Sequence, residues 1–305
     1  MKKAVVLFLT VLLVLMFCCQ LKASSLQKSI VPAEALWVVH VDLIKFKASR
    51  LGDIVLNKID ALGLKDKIGK FQKQFKMDLL NDIDGVTAIG LGKDEEDIVV
   101  CLKGNLNKDF LLGLLGMEDS HQEIPYGKYT LHNWDKDEFG AFVDDDLVLF
   151  AQKKNALTRV LDVISGKKAD ISSSSLMAYL KKVPSNAFVS AMVKDISAIA
   201  KEETDVFVFK KMKSALLTLA EVKENLDLRL DFMVDTQEDA NNIENAIKGL
   251  IALANMHLSE EDSALRIPKN IVISTKKNKV QIGLVYPTED LVNILLGKIK
   301  GNSFF

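Results

Sequence analysis

Two stretches of the chain carry the same phrase: Val31-Pro32-Ala33-Glu34-Ala35 runs into Leu36-Trp37-Val38-Val39-His40-Val41-Asp42, and Val183-Pro184-Ser185-Asn186-Ala187 runs into Phe188-Val189-Ser190-Ala191-Met192-Val193-Lys194. Each is preceded by a Ser-Ser-Leu step, Ser24-Ser25-Leu26 and Ser174-Ser175-Leu176. In both copies a short helix-like stretch meets a proline, which cannot continue a helix, and a strand of apolar residues follows. The spacings differ by two residues, which a surface connection tolerates.

The correspondence extends downstream of both strands. Val86–Leu91 and Asp97–Lys103 flank the polar turn Lys93-Asp94-Glu95-Glu96, as Ala215–Val222 and Leu226–Val234 flank Lys223-Glu224-Asn225. Each pair reads as a hairpin. Asn107 and Asp109 open an apolar helix through Leu115, and Thr236 with Asp239 forms a capping box for a helix presenting Ala240, Ile243, Ile247 and Leu250. Second hairpins follow at Phe139–Val143 with Leu147–Ala151, and at Ile271–Thr275 with Lys279–Val285. A helix closes each copy, the last with Thr288 as cap, and the first copy holds an extra strand, Lys128–Trp134. Each half therefore reads β-α-β-β-α-β-β-α. Hairpin connections imply mostly antiparallel sheets covered by helices, so the expected fold class is α+β, internally duplicated, rather than a doubly wound parallel sheet. Ser172–Ser175 marks the junction, giving a first repeat over 24–170 and a second over 171–305. The pattern leaves open whether the halves form separate cores or share one sheet; two helix-covered sheets could enclose an apolar groove between them.

The halves differ most between Asp42 and Gly85. Leu51, Ile54, Val55, Ile59 and Leu62 suit an amphipathic helix that ends at Gly63, and Lys65–Phe75 makes a second with Ile68, Phe71 and Phe75 inward. Beyond it Asp78, Asp82 and Gly85 form an acidic phrase before a strand. Together with Pro32 and Ala35, and with the layout across residues 31–300, this phrase resembles that of uncharacterised exported bacterial proteins with a duplicated α+β layout. The resemblance implies architecture and export, and no chemistry. The second half departs from it, since Phe207–Met212 offers no equivalent acidic phrase.

The N-terminus reads as a signal peptide over residues 1–23. Lys2 and Lys3 precede an uncharged run from Ala4 to Cys19, and small residues follow at Ala23, Ser24 and Ser25. The expected location is the periplasm or the extracellular space. An uncleaved N-terminal anchor and a lipoprotein modified at Cys18 or Cys19 are the alternatives; bulky Phe17 suits lipoprotein processing poorly. Cleavage after Ala23 removes Lys2, Lys3 and Lys22, taking 40 basic residues to 37 against 41 acidic ones, a formal charge of −4. Such a balance argues against nucleic-acid binding, which rests on concentrated positive charge. Cys101 is the one cysteine outside that segment, so no internal disulfide can form, and its strand context reads as a small core side chain.

Several catalytic signatures are missing from the sequence. There is no Gly-x-Ser-x-Gly elbow, no phosphate loop ending in Lys-Ser or Lys-Thr, no His-Glu-x-x-His and no paired cysteines. Neither a cofactor nor a metal site is expected, and the acidic clusters at 94–97, 144–146 and 260–262 read as solvated turns. His40 and Asp42 share one strand face, as do His132 and Trp134, and these four are the candidate ligand contacts. Lys65, Lys67, Lys70, Lys73 and Lys76 line an amphipathic helix that could meet an anionic membrane, although a stripe turned to the core shows the same pattern. The leading expectation is a non-catalytic exported protein that binds an envelope protein or an apolar ligand. The alternatives are a hydrolase with an unrecognised site around His40, Asp42 and His132, and a peripheral membrane-binding protein.

Overall fold

The computed structural model describes residues 25–59, 65–78, 80–196, 211–257 and 270–293, with side chains omitted at 254–257. The segment read as a signal peptide lies outside the described residues, as do the acids at 260–262.

The strands are β1 (Trp37–Asp42), β2 (Ile83–Gly90), β3 (Ile98–Gly104), β4 (Gln122–Tyr126), β5 (Tyr129–Asp135), β6 (Glu138–Phe142), β7 (Leu147–Ala151), β8 (Ala187–Val193), β9 (Ser214–Val222), β10 (Asn225–Met233), β11 (Ile271–Lys276) and β12 (Lys279–Pro287). Among the described residues the helices are α1 (Leu43–Lys47), α2 (Arg50–Asn57), α3 (Lys65–Phe75), α4 (Lys108–Leu115), α5 (Lys154–Ile164), α6 (Leu176–Leu180) and α7 (Gln237–His257), with residues 288–293 helical after the last strand. All twelve strands join one sheet, in the order β11-β12-β10-β9-β8-β1-β2-β3-β7-β6-β5-β4. Every pairing is antiparallel. This is an α+β fold with a large antiparallel sheet.

The two halves, which the sequence leaves open as separate cores or one sheet, share a single sheet. Its two strand sets meet at β1 and β8, with Trp37 opposite Val193, Val39 opposite Ala191 and Val41 opposite Val189. A ladder of backbone hydrogen bonds joins the halves there. From this seam outward the order is β1-β2-β3-β7-β6 on one side and β8-β9-β10-β12-β11 on the other. The two orders correspond strand for strand, with β4 and β5 added at one end; a common origin for the two sets is a matter of proposal.

The faces are sorted by the strand alternation. On the first, Val38, Ile89, Val99, Leu149 and Met192 pack with Leu157, Val160 and Leu161 of α5 and Leu176 of α6. On the second, Val41, Val86, Val148 and Phe188 pack with Leu43 and Phe46 of α1 and Ile68 of α3. Further along, Phe232 and Val280 meet Ala240 and Ile243 of α7. Local signals set the helix starts. Asp42 accepts a hydrogen bond from the Lys45 N–H at 2.9 Å, and Thr236 Oγ1 accepts one from the Asp239 N–H at 3.0 Å. Thr288, read as a helix cap, is buried and donates its hydroxyl to Glu221 at 2.7 Å.

Two elements differ from the expectation. The helix read through Leu62 has α2 ending at Asn57, and residues 60–64 are outside the description. Strand β4 has no counterpart in the sequence reading. Pro125 lies within it, and β4 is the outermost strand, where a missing N–H costs no ladder bond.

Candidate functional site

His40 sits mid-sheet, opposite Thr87 of β2 and Ser190 of β8, and Thr87 in turn faces Cys101. Ser190, His40, Thr87 and Cys101 therefore form one lateral row, and all four are buried. His40 Nδ1 lies 2.9 Å from Thr87 Oγ1, so the buried ring shares a hydrogen bond rather than facing solvent. Beside the row a shallow pocket, with room for about one water molecule, is lined by Ser25, Gln27, Ile30 and Lys103. Burial drives the Cys101 thiol far above its ordinary range, which keeps it a neutral core side chain.

Asp42 does a different job at the end of the same strand. It caps α1 and pairs with Lys45 Nζ at 3.0 Å. The acidic phrase downstream is also a folding device. Asp82 accepts from the Asp78 N–H at 2.6 Å, Asp78 accepts from the Leu80 N–H at 2.8 Å, and Lys47 Nζ donates to the Leu80 carbonyl at 2.7 Å. Asp84 nearby has its carboxyl pushed up by burial, against the opposing pull of Lys47 and Lys103.

His132 lies five strand intervals from His40, roughly 24 Å at the usual spacing, and on the opposite face of the sheet. The structure does not bring His40, Asp42 and His132 into one cleft. It does bring other groups to His132. Register places Glu123 of β4 directly opposite His132 of β5, and His121, two residues before Glu123, falls on the same face. His121 Nε2 is 3.1 Å from His132 Nδ1, and Glu123 Oε1 is 3.9 Å from that same Nδ1. The two imidazoles stack, with centroids 5.3 Å apart and planes 14° apart. Phe142 closes over His132 edge-on at 6.4 Å, and Lys108 of α4 lies over the Phe142 ring. Burial holds the His132 imidazole below its ordinary value, Glu123 pulls it up, and His121 and Lys108 add to the downward push.

Trp134 rests against Gly140, where a Cβ would stand 3.0 Å from its ring, and meets Phe150 edge-on at 6.2 Å. Its indole N–H donates to the Glu138 carboxylate. Lys65, Lys67, Lys70 and Lys73 of α3 and Lys76 just beyond its end are all exposed, while Ile68 is buried and Phe71 and Phe75 pack against the core. Its apolar stripe thus faces the core cluster, and Lys76 lies over the Phe110 ring. The acids at 94–97 and 144–146 are at turns, with Lys153 paired to Glu96 at 3.1 Å and Lys108 to Asp145 at 3.6 Å. His121 and Glu123 escaped the sequence reading. The available signal was the His-x-Glu spacing, which puts two donors on one face of any strand.

These features define a mixed α+β protein built on one antiparallel sheet with helices on both faces. Three solved structures share that fold: crystal forms I, III and IV of TP0453. Their TM-scores are 0.51, 0.50 and 0.51 at 9%, 10% and 9% sequence identity, covering 90% of this chain and 98%, 100% and 97% of theirs. The likeness is one of fold. No family model matches the chain, and none of the curated proteins does. No helix among the described residues is long and apolar enough to cross a membrane.

Proposed function

We propose that this chain is an exported, envelope-associated binding protein without catalytic activity, which receives an envelope partner on its sheet. The observation that carries the reading is the stretch of sheet formed by β10, β12 and β11. Its second face is covered by α7, while on the first face Arg229, Gln281, Val285, Val272 and Ser274 are exposed. Val272 and Val285 keep 68% and 52% of their surface in solvent. Exposed apolar side chains beside the terminal strand of a sheet form a surface that proteins ordinarily charge or cover. Export is supported by the basic start and uncharged run at residues 1–19. The two strand sets, in this proposal, descend from one doubled unit.

Crosslinking in intact cells, followed by N-terminal sequencing and identification of the captured species, tests both parts. The expected chain begins at Ser24, fractionates with the envelope and captures one defined partner, in a yield that Val272→Lys with Val285→Lys lowers. A chain beginning at Met1 in the cytoplasmic fraction, or a yield indifferent to these substitutions, overturns it.

A further inference from the structure

We propose that His121, Glu123 and His132 form a binding site for a borderline divalent transition-metal ion, Zn²⁺ foremost, with the fourth position open to water. The argument is geometric. In a tetrahedral site with ligands at about 2.0–2.1 Å, neighbouring donor atoms stand about 3.3 Å apart. His121 Nε2 and His132 Nδ1 are 3.1 Å apart, His132 Nδ1 and Glu123 Oε1 are 3.9 Å apart, and all three donor atoms lie within 4.8 Å of one another. The imidazole–imidazole edge thus falls within a few tenths of an ångström of the requirement, and the His132–Glu123 edge exceeds it by about 0.6 Å. The Glu123 side chain, 65% exposed, is free to rotate the small remainder.

The donor set selects the metal class. Two imidazoles and one carboxylate suit Zn²⁺, Ni²⁺ or Cu²⁺, whereas Ca²⁺ and Mg²⁺ want oxygen alone. The fold brings the three residues together independently of any ion. Backbone pairing fixes Glu123 opposite His132, and Ser120 Oγ donates to the Trp134 carbonyl at 2.5 Å, tying the approach to His121 onto β5. His132 is 5% exposed beneath Phe142, while Glu123 faces solvent, which leaves an entry path and room for a water ligand. Lys108 is the opposing charge from α4, and its pairing with Asp145 at 3.6 Å draws its head toward that turn.

Isothermal titration of Zn²⁺ into untagged, chelator-stripped protein at pH 7.5 tests the site, with Co²⁺ absorption reporting geometry. The expected result is one saturable equivalent per chain and a tetrahedral Co²⁺ spectrum. Glu123→Gln and His121→Gln, both on the solvent side, should each weaken binding by at least about 10-fold, with unchanged circular dichroism. His132→Asn should abolish it, and if that variant fails to fold the two outer variants decide. Absence of a saturable equivalent, an unchanged affinity in the His121→Gln/Glu123→Gln double variant, or Ca²⁺ binding as tightly as Zn²⁺ would each overturn the proposal.

Discussion

Replacing Phe232 by Ala tests whether the two strand sets act as one body. Phe232 of β10 is 1% exposed and sits among Ala215, Val280, Ala240 and Ile243, in the second strand set and two strands beyond β8. Removing a buried phenyl ring costs about 4 kcal/mol, combining lost transfer free energy with the cavity left behind. With a urea dependence of about 3 kcal/mol per M, the midpoint should fall by ~1.3 M. The chain has two tryptophans, Trp37 on β1 and Trp134 on β5, and both lie on the other side of the seam from Phe232. Tryptophan emission therefore reports the first strand set up to the seam, where Trp37 pairs with Val193, whereas far-ultraviolet circular dichroism reports the whole sheet. If the β1–β8 ladder couples the two sets, both probes shift together by the full amount. An emission midpoint that stays at the wild-type value while the dichroism trace splits into two transitions would refute the reasoning.

Acidification should destabilise the protein through His132. Its imidazole is held below the ordinary 6.5 by burial, so the unfolded chain takes up a proton first as pH falls. This contribution is intact above about pH 6.5 and is lost as pH drops through the lower folded-state value; urea midpoints at pH 7.5 and 5.5 should converge in His132→Phe relative to wild type, and an unchanged slope contradicts the assignment. Gly104→Ala would place a Cβ 2.0 Å from the Asp82 carbonyl oxygen and 2.8 Å from Ile83 Cα, so the backbone itself must move. A loss of about 1–3 kcal/mol is expected in urea unfolding, and a neutral substitution would show that this approach is not as close as described. Cys101, 2% exposed with its thiol pushed up by burial, should ignore a thiol reagent in native protein and react at the rate of unfolding. Immediate labelling would contradict its burial.

The strands were legible where apolar residues alternate or run together. Trp37–Asp42, Ser214–Val222 and Asn225–Met233 fall within a residue or two of the hairpin reading, because a packed sheet demands that pattern whatever its neighbours are. The single sheet was not legible. β8 carries apolar residues on both faces, and β1 is apolar on one face with Val38, His40 and Asp42 on the other; neither pattern says which partner a strand takes. Their pairing depends on contacts more than 140 residues apart in sequence, such as Val39 with Ala191. Asp42 looked like half of a polar pair with His40, and the strand pattern could not show that it turns away to cap α1. The His121–Glu123–His132 cluster needed the β4–β5 register, and β4 was hidden by Pro125 and by carrying Ile124 as its lone aliphatic residue.

Hydrogen exchange at the seam tests the central structural claim most directly. Amides of Val38–Val41 and Val189–Met192 that bond across β1 and β8 lie in the middle of twelve strands, and should exchange only through global unfolding. Protection there equal to that of β2 and β3 is the predicted result. Rapid exchange along β1 and β8, with β2 and β3 still protected, would mean that the two strand sets part in solution and that the sheet is not one.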